Sequence, residues 1–425
     1  MWRLIPITGC NETIEVGRDR WARRHPTTSL GPDGLPAGRD PYRRFHAKVS
    51  KRRGSGIIRY FVTLALAGAC HMQAAPFLAI GRNAELLLTG VATIRYDDNI
   101  FLSDAIDEAD VIWSLAPGVE YGYDGGLTQV SIVVSETFQR YIDNSALDAE
   151  LTTASLEIVR EGANSRFILR AGYREYGQNT LNALSPNQTV RRNITDGAVL
   201  GELALGGRTR LAGGVNYDRA RYPGAGFIGN KALQLPVDLY YALSAKLDLS
   251  LGYRHRTNRM DNGSRDSDDQ FFSIGARGQF TPKLSGQVRV GWTERSFDAG
   301  GDDSQLGASA DLVWFYSPKT TYRLTVTNDF SNSAIGVSAT ELAVSLDGRF
   351  ELSDVWSTNA MLSFSSEDYE TGREDDFFVT NLALVYRLQE NISFQGAYIF
   401  RKNSSNIATL DFTNNVLSLA TSVRY

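Results

Sequence analysis

Beyond residue 75, the side chains that could do chemistry in a regular pattern are charged ones spaced two or four apart. Arg166, Arg170 and Arg174 form one such set, and Arg254 with Arg256 another. Arg277, Arg289, Arg295 and Arg323 recur in the segments that follow, and Asp218, Asp238, Asp248, Asp311, Asp329, Asp347 and Glu367 fall at equivalent places. In an extended chain, residues two apart share a face, so these charges predict a charged wall. Such ladders set the selectivity of pores, and Arg254, Arg256, Arg277 and Arg289 from neighbouring segments would favour anionic solutes or acidic sugars. The plainer expectation is that the same charges pair across strands and keep the wall hydrated.

A catalytic set is missing from this pattern. His255 is the sole histidine after residue 75, and it stands between Arg254 and Arg256 with no Gly-x-Ser-x-Gly nucleophile motif and no His-rich metal spacing. The acidic groups Asp104, Asp107, Glu108, Asp110 and Asp266, Asp268, Asp269 lack a calcium-loop pattern and read as solvated loop charge. No enzyme activity, cofactor or metal is expected.

The elements that must position this wall are strands. From Ala84 onward apolar and polar residues alternate over stretches of roughly 10 to 15 residues, longer than the usual globular strand. In Leu247–Arg256 one face carries Leu247, Leu249, Leu251 and Tyr253, and the other carries Asp248, Ser250, Gly252, Arg254 and Arg256. Phe167, Leu169, Ala171 and Tyr173 oppose Arg166, Arg170 and Arg174 in the same way. Tight turns punctuate the chain at Asp124-Gly125-Gly126, Glu161-Gly162, Gly206-Gly207, Ala245-Lys246, Thr281-Pro282, Ser317-Pro318, Leu352-Ser353-Asp354 and Gln389-Glu390. Longer polar loops lie between them, one of the longest running from Asn179 to Arg192, either as a surface loop or as an inward constriction.

Eight turns, nine loops and two ends predict an all-β fold: a transmembrane, antiparallel, up-and-down β-barrel of about 18 strands, with 16 as the alternative. Its short turns would face the periplasm and its longer loops the outside. A soluble propeller would need four short strands per repeat, where only two long ones fit. No run of about 18 apolar residues occurs, which excludes membrane helices. A closed sheet needs no such run, because it satisfies its own backbone and shows lipid only every second side chain. Trp113, Tyr121, Tyr123, Tyr173, Tyr217, Tyr253, Trp292, Trp314, Tyr316, Tyr386 and Tyr398 all fall on the apolar face, as interface girdles require. The last segment alternates and ends on an aromatic, with Leu417, Leu419, Val423 and Tyr425 on the lipid face. It is similar to the signal that outer-membrane barrels present to the barrel-assembly machinery.

The first 75 residues are of another kind. Residues 1–50 show no apolar period and read as a disordered or mis-started leader. Residues 51–75 read as a signal peptide, with Lys51-Arg52-Arg53 before the apolar run Tyr60–Ala69 and cleavage after Ala69 or Ala75. The barrel is then residues 76–425. It holds 31 Lys and Arg against 43 Asp and Glu, a net charge of −12, and contains no cysteine. That charge argues against nucleic acid as a partner.

The start of the barrel, Val91–Phe101 with its Tyr96-Asp97-Asp98-Asn99-Ile100, followed by Ser114-Leu115-Ala116-Pro117-Gly118-Val119, resembles the family called putative β-barrel porin 2. The resemblance extends over about residues 84–425. It implies an outer-membrane pore or an exopolysaccharide export channel in a Gram-negative bacterium, and it supplies no catalytic residues. The expected function is a pore for hydrophilic solutes, with polysaccharide export and a non-conducting structural or adhesive barrel as alternatives. Expected partners are outer-membrane lipid and lipopolysaccharide, the assembly machinery, and a polysaccharide with periplasmic export proteins.

Overall fold

The computed structural model describes residues 76–180, 189–224, 226–263 and 265–425. The leader, the signal peptide and the cleavage sites at Ala69 and Ala75 lie outside the described residues.

One three-residue strand, β1 (Leu78–Ile80), precedes eighteen long ones. These are β2 (Ala84–Asp97), β3 (Asp110–Asp124), β4 (Thr128–Tyr141), β5 (Ala149–Glu161), β6 (Ser165–Tyr176), β7 (Arg192–Ala204), β8 (Thr209–Arg221), β9 (Asn230–Ala242) and β10 (Leu247–Met260). There follow β11 (Ser267–Thr281), β12 (Leu284–Phe297), β13 (Asp302–Ser317), β14 (Thr320–Asn332), β15 (Ser338–Glu351), β16 (Trp356–Tyr369), β17 (Glu374–Gln389), β18 (Ile392–Ser405) and β19 (Phe412–Arg424). Each long strand pairs antiparallel with the next, and β19 pairs with β2, so the wall closes at eighteen strands. Closure leaves no long edge with unpaired N–H and C=O groups, which is what hydrocarbon demands.

All eight predicted tight turns join the strands they were read between. The contrast with the loops is weaker than expected, since residues 298–301 and 370–373 are as short as the turns. Strand β1 is an unforeseen addition. It pairs with Ala84–Leu86 of β2 on the edge that β19, pairing with Thr89–Asp97, leaves uncovered.

The alternation sets the two faces. On β9 the outward residues Leu233, Leu235, Val237, Leu239 and Tyr241 are all exposed, whereas Gln234, Pro236, Asp238 and Tyr240 turn inward and are buried. From Leu233 to Tyr241 is about 27 Å along the strand, or roughly 20 Å of height at a tilt of about 40°. That height is comparable to the apolar band of about 25 Å on outer-membrane barrels. Aromatics border it. At the turn side Trp314 contacts Tyr316 and Tyr322, Tyr322 contacts Phe350, and Trp356 contacts Tyr386. Tyr253, Phe272 and Trp292 also stand in register across β10–β12, but Tyr253 is opposite Val237, in the middle of the band and not at its border.

Candidate functional site

The candidate site is the inner wall, and the structure places every predicted charge on it. Arg166, Arg170 and Arg174 point inward from β6 and pair with Glu161, Glu157 and Asp196 at 3.3, 2.7 and 2.6 Å. Arg323 pairs with Asp311 across β13 and β14. The four arginines grouped from sequence separate into two clusters at different heights: Arg277 and Arg289 lie toward the turns, Arg254 and Arg256 toward the loops.

In the turn-side cluster Arg277 donates to both oxygens of Glu202 on β7 at 2.7 and 2.6 Å, and to Asp248 at 3.2 Å. Its guanidinium lies 3.4 Å from the centre of the Tyr240 ring. Arg210 donates to Asp248 at 2.9 Å. Arg289, on β12, reaches over two strands to Asp238 of β9 at 3.0 Å and donates to the Tyr240 hydroxyl at 2.9 Å. Small residues on β10 and β11 make that reach possible. A Cβ on Gly252 would come within 2.6 Å of Asp238 Oδ1, and one on Gly275 within 2.9 Å of Arg289 Cγ. Arg210, Arg277 and Arg289 balance Glu202, Asp238 and Asp248, so this stretch of wall is locally neutral.

The loop-side cluster is more deeply enclosed. Arg256 and Arg295 are 1% and 0% exposed, and both hold Asp269, at 2.6 and 2.7 Å from their Nε atoms. Arg256 also donates to Asp329 at 3.0 Å, and Arg295 to the Ser338 hydroxyl at 2.6 Å. Arg254 reaches Asp329 at 2.8 Å and lies over the Phe271 ring. Planar guanidinium groups bridging carboxylates on separate strands satisfy each other where water is excluded.

Two inward positions differ from their reading as solvated loop acids. Asp269 belongs to β11 and is fully buried between Arg256 and Arg295. Asp110 opens β3 and accepts the backbone N–H groups of Ile142, Asp143 and Asn144, which fixes the loop after β4. Glu202, Arg210 and Tyr240 complete the turn-side cluster without having been picked from sequence. The alternation places them inward, but nothing in it tells which inward charges meet across several strands. His255 faces outward, its Nε2 at 3.3 Å from the Thr257 hydroxyl.

On β2, β3 and β16–β19 the inner wall mixes buried polar residues, among them Glu120, Glu367, Asn381, Gln395, Arg401 and Asn414, with apolar patches. Val91, Ala116, Ala383, Ala397 and Ala420 form a buried inward patch on β2, β3 and β17–β19. Above it Leu102, from the loop after β2, packs on Met361, Phe377, Val379, Ile399, Phe412 and Val416. This loop therefore folds into the barrel, and Leu102 takes a left-handed φ of 53° to do so. Loops also meet each other over the mouth: Asn179 Nδ2 donates to Phe101 O at 2.8 Å, and Ile228 N donates to Ala334 O at 2.7 Å. The centre of the Asn179–Arg192 loop, including Ser185-Pro186-Asn187, lies outside the described residues.

Residues 253–425 match the family model described as Putative beta-barrel porin 2. The matched part runs from the middle of β10 through β19 and does not include Val91–Val119, whose motifs first suggested the family. No curated protein matches the chain. Among solved structures it is similar to the outer membrane protein OpdK of Pseudomonas aeruginosa, at 10% identity over 80% of this chain and 99% of that one, with a TM-score of 0.44. It is also similar to OccK2 (OpdF) of the same species, solved with glucuronate, at 10% identity over 80% and 98% and a TM-score of 0.45. A third is OccAB4 of Acinetobacter baumannii, at 11% identity over 81% and 99% and a TM-score of 0.43.

Proposed function

We infer that this chain, a porin-like barrel of the outer membrane with residues 253–425 in the Putative beta-barrel porin 2 family, passes small hydrophilic solutes through its lumen. One observation carries the reading. Charges project inward in strand after strand from β5 to β15, ion-paired along the wall, while the outer face is apolar. Ions removed from water cost several kcal/mol each unless compensated, so a barrel with no aqueous task gains nothing from such a lining. Pairing leaves the turn-side stretch of the wall locally neutral, which suits polar solutes of either sign better than a strongly anion-selective filter. The same wall argues for a channel rather than an enzyme.

The inward Leu102 loop and the tied mouth loops support a second reading, a gated channel for export of a polysaccharide. Planar-bilayer recording on the purified, folded barrel separates the two. Steady open conductance supports the solute pore. Conductance that appears only after the mouth loops are released supports the gated exporter, and a barrel silent in both conditions overturns the pore reading.

A further inference from the structure

We propose that the outer surface of the barrel, at its loop-side rim on β8–β10, binds the phosphate-bearing headgroup of an outer-leaflet lipid through Arg219, Arg221, Lys231 and Arg259. The site needs the membrane placement of the barrel but not the pore reading, so either can fail alone.

Register brings these cations together. Arg219 on β8 stands directly opposite Lys231 on β9, and Lys231 stands directly opposite Arg259 on β10. All three point outward, because the inward partners on these strands are Asp218, Ala232 and Asn258. Arg221 lies two residues further along the same face of β8. Like charges directly opposite one another destabilise a sheet, so a row of three is held at a cost that a bound anion would remove.

Four acids flank these cations, but they gather at the two ends of the row, around Arg259 and beside Arg219. Arg259 has Asp268 at 3.1 Å and Asp266 and Asp298 near 4 Å, and Arg219 has Asp261 at 3.5 Å. Lys231 and Arg221 are exposed and make no ion pair among the described residues. Elsewhere the outward rim carries exposed acids, among them Glu294, Asp368, Glu374 and Asp376. In a barrel of net charge −12, a cationic row confined to three adjacent strands is a local feature.

The surroundings have the shape of an amphiphile. A cavity of about 480 Å³ opens beside the row, lined by Asn193, Arg221, Tyr222, Phe227, Asp261 and Asn262. It offers amide and carboxylate groups for the hydroxyls of a sugar headgroup and two rings for its apolar faces. Toward the membrane, the same outward columns continue as Tyr217 beside Leu233, then Leu235 and Val237, all available to acyl chains. Charge at the rim, an aromatic below it and aliphatic surface below that follow the order of phosphate, interface and hydrocarbon in a lipid.

The test is native mass spectrometry of the full folded barrel with bisphosphorylated lipid A, with the same lipid dephosphorylated, and with inorganic phosphate. The expected result is a retained bisphosphorylated lipid adduct whose affinity falls about tenfold or more in Arg221→Gln/Lys231→Gln. Lys402→Gln, an outward rim cation on β18, should leave it unchanged. Heat-modifiable migration on gels verifies that each variant is folded. Equal binding by the double variant, or equal binding of the dephosphorylated lipid, would overturn the proposal. Displacement of the lipid by millimolar inorganic phosphate would assign the cations to free phosphate and overturn the lipid source.

Discussion

Asp98 holds Asn415 twice, accepting its backbone N–H at 2.6 Å and its side-chain amide at 2.8 Å. Beside it Asp97 accepts from Asn414 at 2.8 Å, and Asn99 donates to Thr413 O at 3.1 Å. The Asp97-Asp98-Asn99 run thus clamps the first long strand to the last at the loop end of the closing seam. Hydrogen bonds to charged acceptors contribute about 1.5–3 kcal/mol each. Asp98→Ala is expected to lower stability by about 2–4 kcal/mol, read from urea unfolding followed by tryptophan fluorescence. An unchanged midpoint would show that the seam does not depend on the clamp.

At the other end of the seam, Tyr425 exchanges two backbone hydrogen bonds with Leu88, at 2.6 and 2.8 Å, and its ring centre lies 6.5 Å from that of Phe77. Deleting Tyr425 should reduce the heat-modifiable, membrane-inserted form in cells. Phe77→Ala should leave insertion intact and cost only about 0.5–1.5 kcal/mol, the scale of one aromatic pair. Wild-type insertion without Tyr425 would remove its role as an assembly residue, together with that proposed for Leu417, Leu419 and Val423.

The Arg289–Asp238 bridge gives a signed prediction for ion selectivity. Asp238→Asn leaves Arg289 uncompensated on the inner wall and should move the reversal potential in a salt gradient toward anions. Arg289→Gln should move it toward cations. Reversal potentials identical to wild type in both would show that the permeating path avoids this wall.

Arg256 and Asp269 are both enclosed, so removing one partner strands the other. Asp269→Ala leaves Arg256 and Arg295 facing each other without their shared carboxylate, and should destabilise by about 3–5 kcal/mol. Arg254→Ala, which removes an arginine that is 22% exposed, should cost much less. Equal effects in chemical denaturation would mean that the burial difference is energetically irrelevant.

Asn179 bridges two loops, donating to Phe101 O and accepting from Val190 N at 2.7 Å. Asn179→Ala releases both contacts and should widen the mouth, seen as a rise in single-channel conductance with little loss of barrel stability. Conductance unchanged from wild type would place the narrowest point elsewhere.

The two faces and the inward direction of the charges assigned to the wall followed from period-two alternation, and the turns and loops between the strands gave their number as about 18. In a barrel each inward position is fixed by strand parity, and parity is a local property. Arg289 was legible as inward, but its partner was not. That pairing depends on Gly252 and Gly275 clearing a path across two strands, and on the curvature that brings β9 and β12 within reach. The apolar patch at Ala383 and Ala397 was hidden for a different reason: where both faces are apolar, alternation carries little contrast. Likewise the Asp97-Asp98-Asn99 run was legible only as part of a family motif, because its partners Asn414 and Asn415 lie more than 300 residues away and meet it only when the barrel closes. Local periodicity determined the wall, and closure decided which side chains face each other across it.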